Sequence, residues 1–274
     1  MTASTLHPSI HFQPRTVLAN GSSGSEVSAL VGGDGPPIVL FHSLLADHTS
    51  FNHIAQLLAA SHQVVMLDLP GFGQSVPVDG GLEAIADRIA TAIHAFAFNQ
   101  SPIFIGNGYG GFVALLTALR HPGIAAKLVL ADCGAVFTEP GRAAFRGMSA
   151  AASANGLEAI ADVAMRRLFS SEFQAENPAL IAERRERFLA VDANVFHAAC
   201  HALSTLDLRN QLGAITVPVL VLVGEHDEAT PPAMSEELAR LLPNAELKIL
   251  SGCAHVPQLQ EPGLFMKAIG GFVG

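Results

Sequence analysis

What most constrains the fold of this chain is the way short apolar runs alternate with stretches of helical periodicity. Ile38-Val39-Leu40-Phe41, Val64-Val65-Met66-Leu67, Ile103-Phe104-Ile105, Lys127-Leu128-Val129-Leu130, Val219-Leu220-Val221-Leu222-Val223 and Leu247-Lys248-Ile249-Leu250 read as strands. Runs apolar at consecutive positions suit strands buried on both faces, which is the condition of a mostly parallel sheet covered by helices on both sides. Between two of them, Leu82, Ile85, Ile89, Ile93 and Phe96 recur every three or four residues, as an amphipathic helix requires. The segment from His11 to Gly33 reads as an antiparallel hairpin turning at Asn20-Gly21. No internal repeat or low-complexity stretch is present.

The alternation breaks between about Phe137 and Asp207, where the sequence is Ala-rich and helical with no strand-like run. An insertion of this kind between two strands is most simply a helical cap over the carboxyl ends of the sheet, where ligands bind in such folds. The expected organisation is therefore a core domain of residues 1–136 and 208–274 with a helical cap of 137–207. With 274 residues, 50% hydrophobic and 14% charged, the chain can bury a large core.

A net charge of −9 gives no reason to bind nucleic acid or an anionic membrane surface, which leaves small molecules or proteins as partners. Three cysteines without a short repeating spacing argue against a disulfide framework and for a reducing compartment, the cytoplasm. Met1 to Pro14 lacks the charged-then-apolar order of a leader, and no stretch reaches the roughly 18 apolar residues of a membrane span.

After Ile105, Gly106-Asn107-Gly108-Tyr109-Gly110-Gly111 has the small residues of a strand-turn-helix nucleophile elbow, G-x-S-x-G, with Gly108 where the serine would stand. A turn that enters a helix directs backbone N–H groups outward at the positive helix end, so the Tyr109 amide is placed to stabilise developing negative charge. The Leu44 amide, after His42-Ser43, is the second donor of such an oxyanion hole. Asp227 follows the run ending at Val223, and His255 follows the last run in a turn of small residues. A strand-end carboxylate facing a strand-end imidazole fixes the tautomer of the ring and makes it a competent base.

In order, Phe41-His42-Ser43-Leu44, Asp68-Leu69-Pro70-Gly71-Phe72-Gly73-Gln74-Ser75, the elbow, Gly224-Glu225-His226-Asp227 with Thr230-Pro231, and Gly252-Cys253-Ala254-His255 resemble the α/β-hydrolase superfamily over nearly the whole chain. Within it, Asn177-Pro178-Ala179-Leu180, Asp207-Leu208-Arg209 and His226 through Pro232 are most similar to the 3-oxoadipate enol-lactonase group. The resemblance implies an α/β-hydrolase fold, an eight-stranded and mostly parallel sheet, with Gly108, Asp227 and His255 at the three catalytic positions. It implies hydrolysis of a small carboxylic ester or lactone, by association in aromatic catabolism, with no cofactor.

Gly108 leaves three readings open: an engineered substitution in a serine enzyme, a protein whose His255-Asp227 pair activates water directly, or a scaffold that binds without reacting. Under the second, the missing hydroxymethyl leaves room on the scale of one water, roughly 30 Å³. The alternatives in function are a cofactor-independent lyase, carbon-carbon hydrolase or oxygenase using the same base, and a non-catalytic small-molecule receptor. His42, Ser43, Phe137, His197, His201 and Val256 are the expected substrate-binding residues. His197 and His201 have the i, i+4 spacing of metal ligands without the acidic partner of H-E-x-x-H, so no metal is expected. Cys133 and Cys253 near strand ends read as small buried apolar residues rather than substitute nucleophiles. The arginines of Arg184-Arg185-Glu186-Arg187 suit either a substrate carboxylate or a solvated helix face. An ester, lactone or ketone substrate and a monomer or homodimer complete the expectation.

Overall fold

The computed structural model describes residues 10–274; the part of the leader reading that falls on residues 1–9 lies outside them. Eight strands form one sheet in the order β1-β2-β4-β3-β5-β6-β7-β8. They are β1 (Gln13–Leu18), β2 (Glu26–Gly32), β3 (Pro37–Phe41), β4 (Gln63–Leu67), β5 (Ile103–Asn107), β6 (Lys127–Ala131), β7 (Val219–Gly224) and β8 (Ala245–Leu250). The β1-β2 and β2-β4 pairs are antiparallel and every other pair is parallel. The hairpin and all six apolar runs form strands where the sequence placed them, but the run 247–250, expected to be buried on both faces, lies in β8, an edge strand paired only with β7, and Ile249 there is exposed.

The helices are α1 (Asn52–Leu58), α2 (Gly81–Ala95), α3 (Tyr109–Arg120), α4 (Glu139–Asn155), α5 (Ala161–Leu168), α6 (Ser171–Glu176), α7 (Pro178–Leu189), α8 (Ala193–Thr205), α9 (Pro232–Leu241), α10 (Pro257–Gln260) and α11 (Pro262–Val273). The period of two along the strands divides the core between the two faces of the sheet. Val39, Phe41, Val65, Phe104, Leu128 and Val221 pack with α2, α3 and the helices after β6. Ile38, Leu40, Val64, Ile105, Val129 and Leu222 pack on the opposite face with α1 and α11.

Helices α4 to α8 all lie between β6 and β7, with side-chain caps from Thr138, Ser170 and Asp192 at the starts of α4, α6 and α8. Their base is closed by a bridge between Val136 and Asp207, beside which the Leu208 N–H donates to the Ala135 carbonyl at 2.9 Å. Phe145, Met148, Phe188 and Phe196 of this insertion belong to the same buried cluster as Phe104 of β5 and Phe112 of α3.

Strand order reverses between β3 and β5, since the chain runs outward from β3 to β4 on one side and from β5 to β6 on the other. At such a switch point the loops leaving the carboxyl ends diverge and open a crevice. Ser43-Leu44 and Gly108-Tyr109 are the residues that leave β3 and β5.

Candidate active site

Gly108 caps α3 at φ +54°, ψ −121°, a conformation strained for residues with a Cβ, and its N–H is held by the Ala131 carbonyl at 2.9 Å. The elbow can approach β3 this closely because Gly110 has no side chain: a Cβ there would meet the Phe41 carbonyl oxygen at 2.1 Å. Tyr109 is the first residue of α3, so its N–H has no partner within the helix. Neither it nor the Leu44 N–H reaches a backbone acceptor among the described residues.

Asp227 and His255 are both buried, and the His255 Nδ1–H donates to Asp227 Oδ2 at 2.9 Å. Asp227 Oδ1 accepts from the Ala229 and Thr230 N–H groups at 2.7 and 3.0 Å, and Oδ2 also accepts from the Thr230 hydroxyl at 2.6 Å. Burial pushes the Asp227 carboxyl up, but electrostatic attraction and a hydrogen bond from the His255 imidazole, with the Thr230 donors, hold it below the ordinary aspartate value. With Nδ1 committed to the carboxylate, Nε2 faces the crevice and carries the basic lone pair.

A pocket joins these groups, lined by Ser43, Leu44, Gly108, Tyr109, Phe137 and His255 together with Phe145, Met148, Arg167 and Thr230. Its free volume is about 30 Å³, room for about two waters. Arg167 is the cation in this lining; among the described residues no hydrogen-bond or ion-pair partner holds its guanidinium, which lies 5.9 Å from the Phe145 ring centroid.

The expectation of open space where a hydroxymethyl group is missing is corrected by the structure. A Cβ built on Gly108 would meet Ser43 Oγ at 2.6 Å and His255 Nε2 at 2.7 Å, so these two side chains already fill that volume. Three expected substrate contacts also fall elsewhere, each because its polar or apolar needs are met by the fold. His42 is buried against Phe72, with its Nδ1–H donating to the Ser43 carbonyl at 2.9 Å and Nε2 accepting from the Leu69 N–H at 3.2 Å, so it orders the loop after β3. His197 packs α8 on α4 through the Ser149 and Ser153 hydroxyls at 2.9 and 3.3 Å. Val256 is fully buried in the main core beneath the loop that carries His255. A fourth, His201, lies exposed on α8 and lines surface grooves outside the pocket.

The arginines of α7 are likewise committed: Arg184 is buried, donating to Thr49 Oγ1 at 2.9 Å and paired with Glu183 at 2.6 Å and Asp47 at 3.6 Å, while Arg185 pairs with Glu158 at 2.5 Å. Cys133, Cys200 and Cys253 are free and buried, and burial pushes the Cys253 thiol up to about 12.

Two functional neighbours escaped the sequence reading. Asp132, at the end of β6 with φ +52°, is fully buried and accepts from the Gly224 N–H at 2.8 Å and from Asn107 Nδ2 at 3.2 Å. Burial and the adjacent Asp227 charge raise its carboxyl well above the ordinary value, so of the two acids Asp132 is the one that keeps a proton. Asn107 also donates to the His255 carbonyl at 2.8 Å and accepts from Gln258 at 3.0 Å, tying the elbow to the histidine loop. Only the place of Asp132 at a strand end was a signal for it. Asp132, Asp227 and His255 present ligand atoms within 4.8 Å of one another, a spacing that would suit a metal. All four of their carboxylate oxygens already accept hydrogen bonds from Gly224, Asn107, Ala229, Thr230 or His255.

A family model described as alpha/beta hydrolase fold matches residues 36–262, and the chain belongs to this family. It is 24% identical over 262 residues to 3-oxoadipate enol-lactonase 1 of Acinetobacter baylyi, covering 94% of this chain and 97% of that protein. It is 26% identical over 266 residues to a 2-hydroxy-6-oxononadienedioate/2-hydroxy-6-oxononatrienedioate hydrolase of Cupriavidus pinatubonensis, covering 92% and 88% of the two chains. The fold superposes on the enol-lactonase from Burkholderia xenovorans LB400 with a TM-score of 0.87 at 24% identity, covering 94% of this chain and 99% of that one.

Proposed function

We propose that this chain hydrolyses a small carboxylic ester or lactone. The observation that carries the reading is the buried Asp227-His255 pair at 2.9 Å whose free Nε2 faces the pocket lined by Leu44 and Tyr109. In this reading Asp227 fixes the ring, His255 withdraws a proton from the attacking oxygen, and the Leu44 and Tyr109 amides hold the carbonyl oxygen as it becomes negative. Gly108 occupies the nucleophile position and brings no hydroxyl of its own; water is the co-substrate that supplies the new oxygen of the acid, as in any ester hydrolysis. Ser43 and Phe137 contact the acyl group, and Arg167 favours substrates bearing a carboxylate.

Residues 137–207 act as the cap over a core of 1–136 and 208–274, and the substrate is a free small molecule rather than nucleic acid, in keeping with the charge of −9. The three unpaired buried cysteines support a cytoplasmic setting, and no helix of the described residues is long and apolar enough to cross a membrane. The chain acts as a monomer or homodimer.

The similarity to an oxononadienedioate hydrolase supports a second reading, cleavage of a carbon-carbon bond next to a ketone by the same base and amides. A panel of activated esters, small lactones and vinylogous 1,5-diketones separates the two. Turnover of esters or lactones is expected, with His255→Ala lowering it by about 10³-fold or more. Unchanged turnover in His255→Ala would refute base catalysis by this residue, and tight binding of panel members without any turnover would make the chain a receptor.

A further inference from the structure

Resting on the hydrolytic reading above, we infer that the hydroxyl of Ser43 is the nucleophile that attacks the substrate carbonyl, in the place of a residue-108 serine. Ser43 is buried at 2% exposure, lines the pocket, and presents Oγ 3.5 Å from His255 Nε2. That is the long end of hydrogen bonding, where catalytic contacts often stand before substrate tightens them. The position borders that of the missing side chain: Oγ lies 2.6 Å from where a Cβ on Gly108 would stand.

The rival nucleophiles of the site are committed elsewhere. The Thr230 hydroxyl donates to Asp227 Oδ2 at 2.6 Å, and burial pushes the Tyr109 phenol and the Cys133 thiol far above their ordinary values. Ser43 Oγ has His255 Nε2 as its side-chain partner among the described residues. The turn after β3 also places this hydroxyl directly before the Leu44 amide, as the elbow places residue 108 directly before the Tyr109 amide, so nucleophile and oxyanion donor keep the same order.

The step balances without any further reagent. Ser43 Oγ forms a bond to the carbonyl carbon as its proton passes to Nε2, and the carbonyl electron pair moves onto the oxygen held by the two amides. Collapse breaks the ester carbon-oxygen bond, the leaving alkoxide takes the proton from the imidazolium, and acyl-Ser43 remains. Water, deprotonated by Nε2, then attacks the acyl carbon, and Oγ leaves with that proton as the carboxylic acid departs.

The test is active-site labelling of the full chain with a fluorophosphonate, located by tandem mass spectrometry, beside ester turnover of Ser43→Ala. A single adduct on Ser43, absent from Ser43→Ala and from His255→Ala, is expected, with turnover in Ser43→Ala reduced about 10³-fold or more. Ser43→Cys supplies an independent arm: its thiol is expected to react with iodoacetamide faster in the presence of His255 than in the Ser43→Cys, His255→Ala double variant. An unlabelled or elsewhere-labelled folded chain, equal alkylation rates, or parental turnover in Ser43→Ala would overturn the inference. Ester turnover that needs His255 but not Ser43 would leave the hydrolase reading standing alone, whereas labelling of Ser43 without turnover of any ester or lactone would sustain the inference and remove the proposed substrate class.

Discussion

Residue 108 sits in backbone geometry that glycine adopts freely and that costs other residues about 1–3 kcal/mol. Gly108→Ser is therefore expected to lower stability by about that amount, read as a drop in Tm. The same variant is expected to form acyl-enzyme from p-nitrophenyl esters faster than the parent, because it adds a hydroxyl at the elbow beside His255 Nε2 while the Ser43 hydroxyl it would meet can rotate aside. A variant that folds and acylates no faster than the parent would remove the elbow assignment. Asp132 gives a pH signature of its own. The unfolded chain releases this proton near 3.8 while the folded chain keeps it to higher pH, so the native state binds more protons and stability from this group falls as pH rises above that value. Asp132→Asn is expected to gain on the parent in thermal unfolding between pH 4 and pH 7; a pH-independent difference would show that the carboxyl is not held protonated.

At the scale of elements, the insertion is pinned to the sheet by few polar contacts. Arg184 of α7 reaches Asp47 and Thr49 in the loop after β3, and Arg187 reaches Asp47 at 3.4 Å. Asp47 also caps the short turn that follows it, accepting from the Thr49 N–H at 3.1 Å. Asp47→Ala removes a helix-type cap and one partner of a buried guanidinium, so a loss of about 1–3 kcal/mol is expected, with faster limited proteolysis within residues 161–192. Proteolysis at the parental rate would mean that apolar packing alone holds α7. The element pattern was readable in advance: strands buried on both faces are apolar at every position, and the hairpin and α2 announce themselves by turn residues and by spacing. The roles of His42, His197, His201 and Val256 were not readable, because whether a side chain turns toward a cavity or toward a neighbouring helix depends on packing between elements distant in the sequence.

Across the whole molecule, the insertion and the sheet share one buried cluster, in which Phe112 packs on Phe137 at 5.3 Å between centroids and Phe137 on Phe145 at 4.8 Å. Differential scanning calorimetry is expected to show one transition with matching calorimetric and van't Hoff enthalpies. Two separable transitions would show that residues 137–207 unfold as an independent unit. What the sequence by itself determined was local: the alternation of strands and helices, the strand-end positions of residues 44, 109, 227 and 255, and the glycine at 108, all of which follow from patterns a few residues long. Only the tertiary structure decided that Ser43 and His255 fill the space beside Gly108, that Asp132 stands behind Asp227, and that Arg167 rather than the α7 arginines faces the pocket. Those facts arise where β3, β5, β6 and β7 converge with α5, and the distances between such remote segments are set by packing of the complete core.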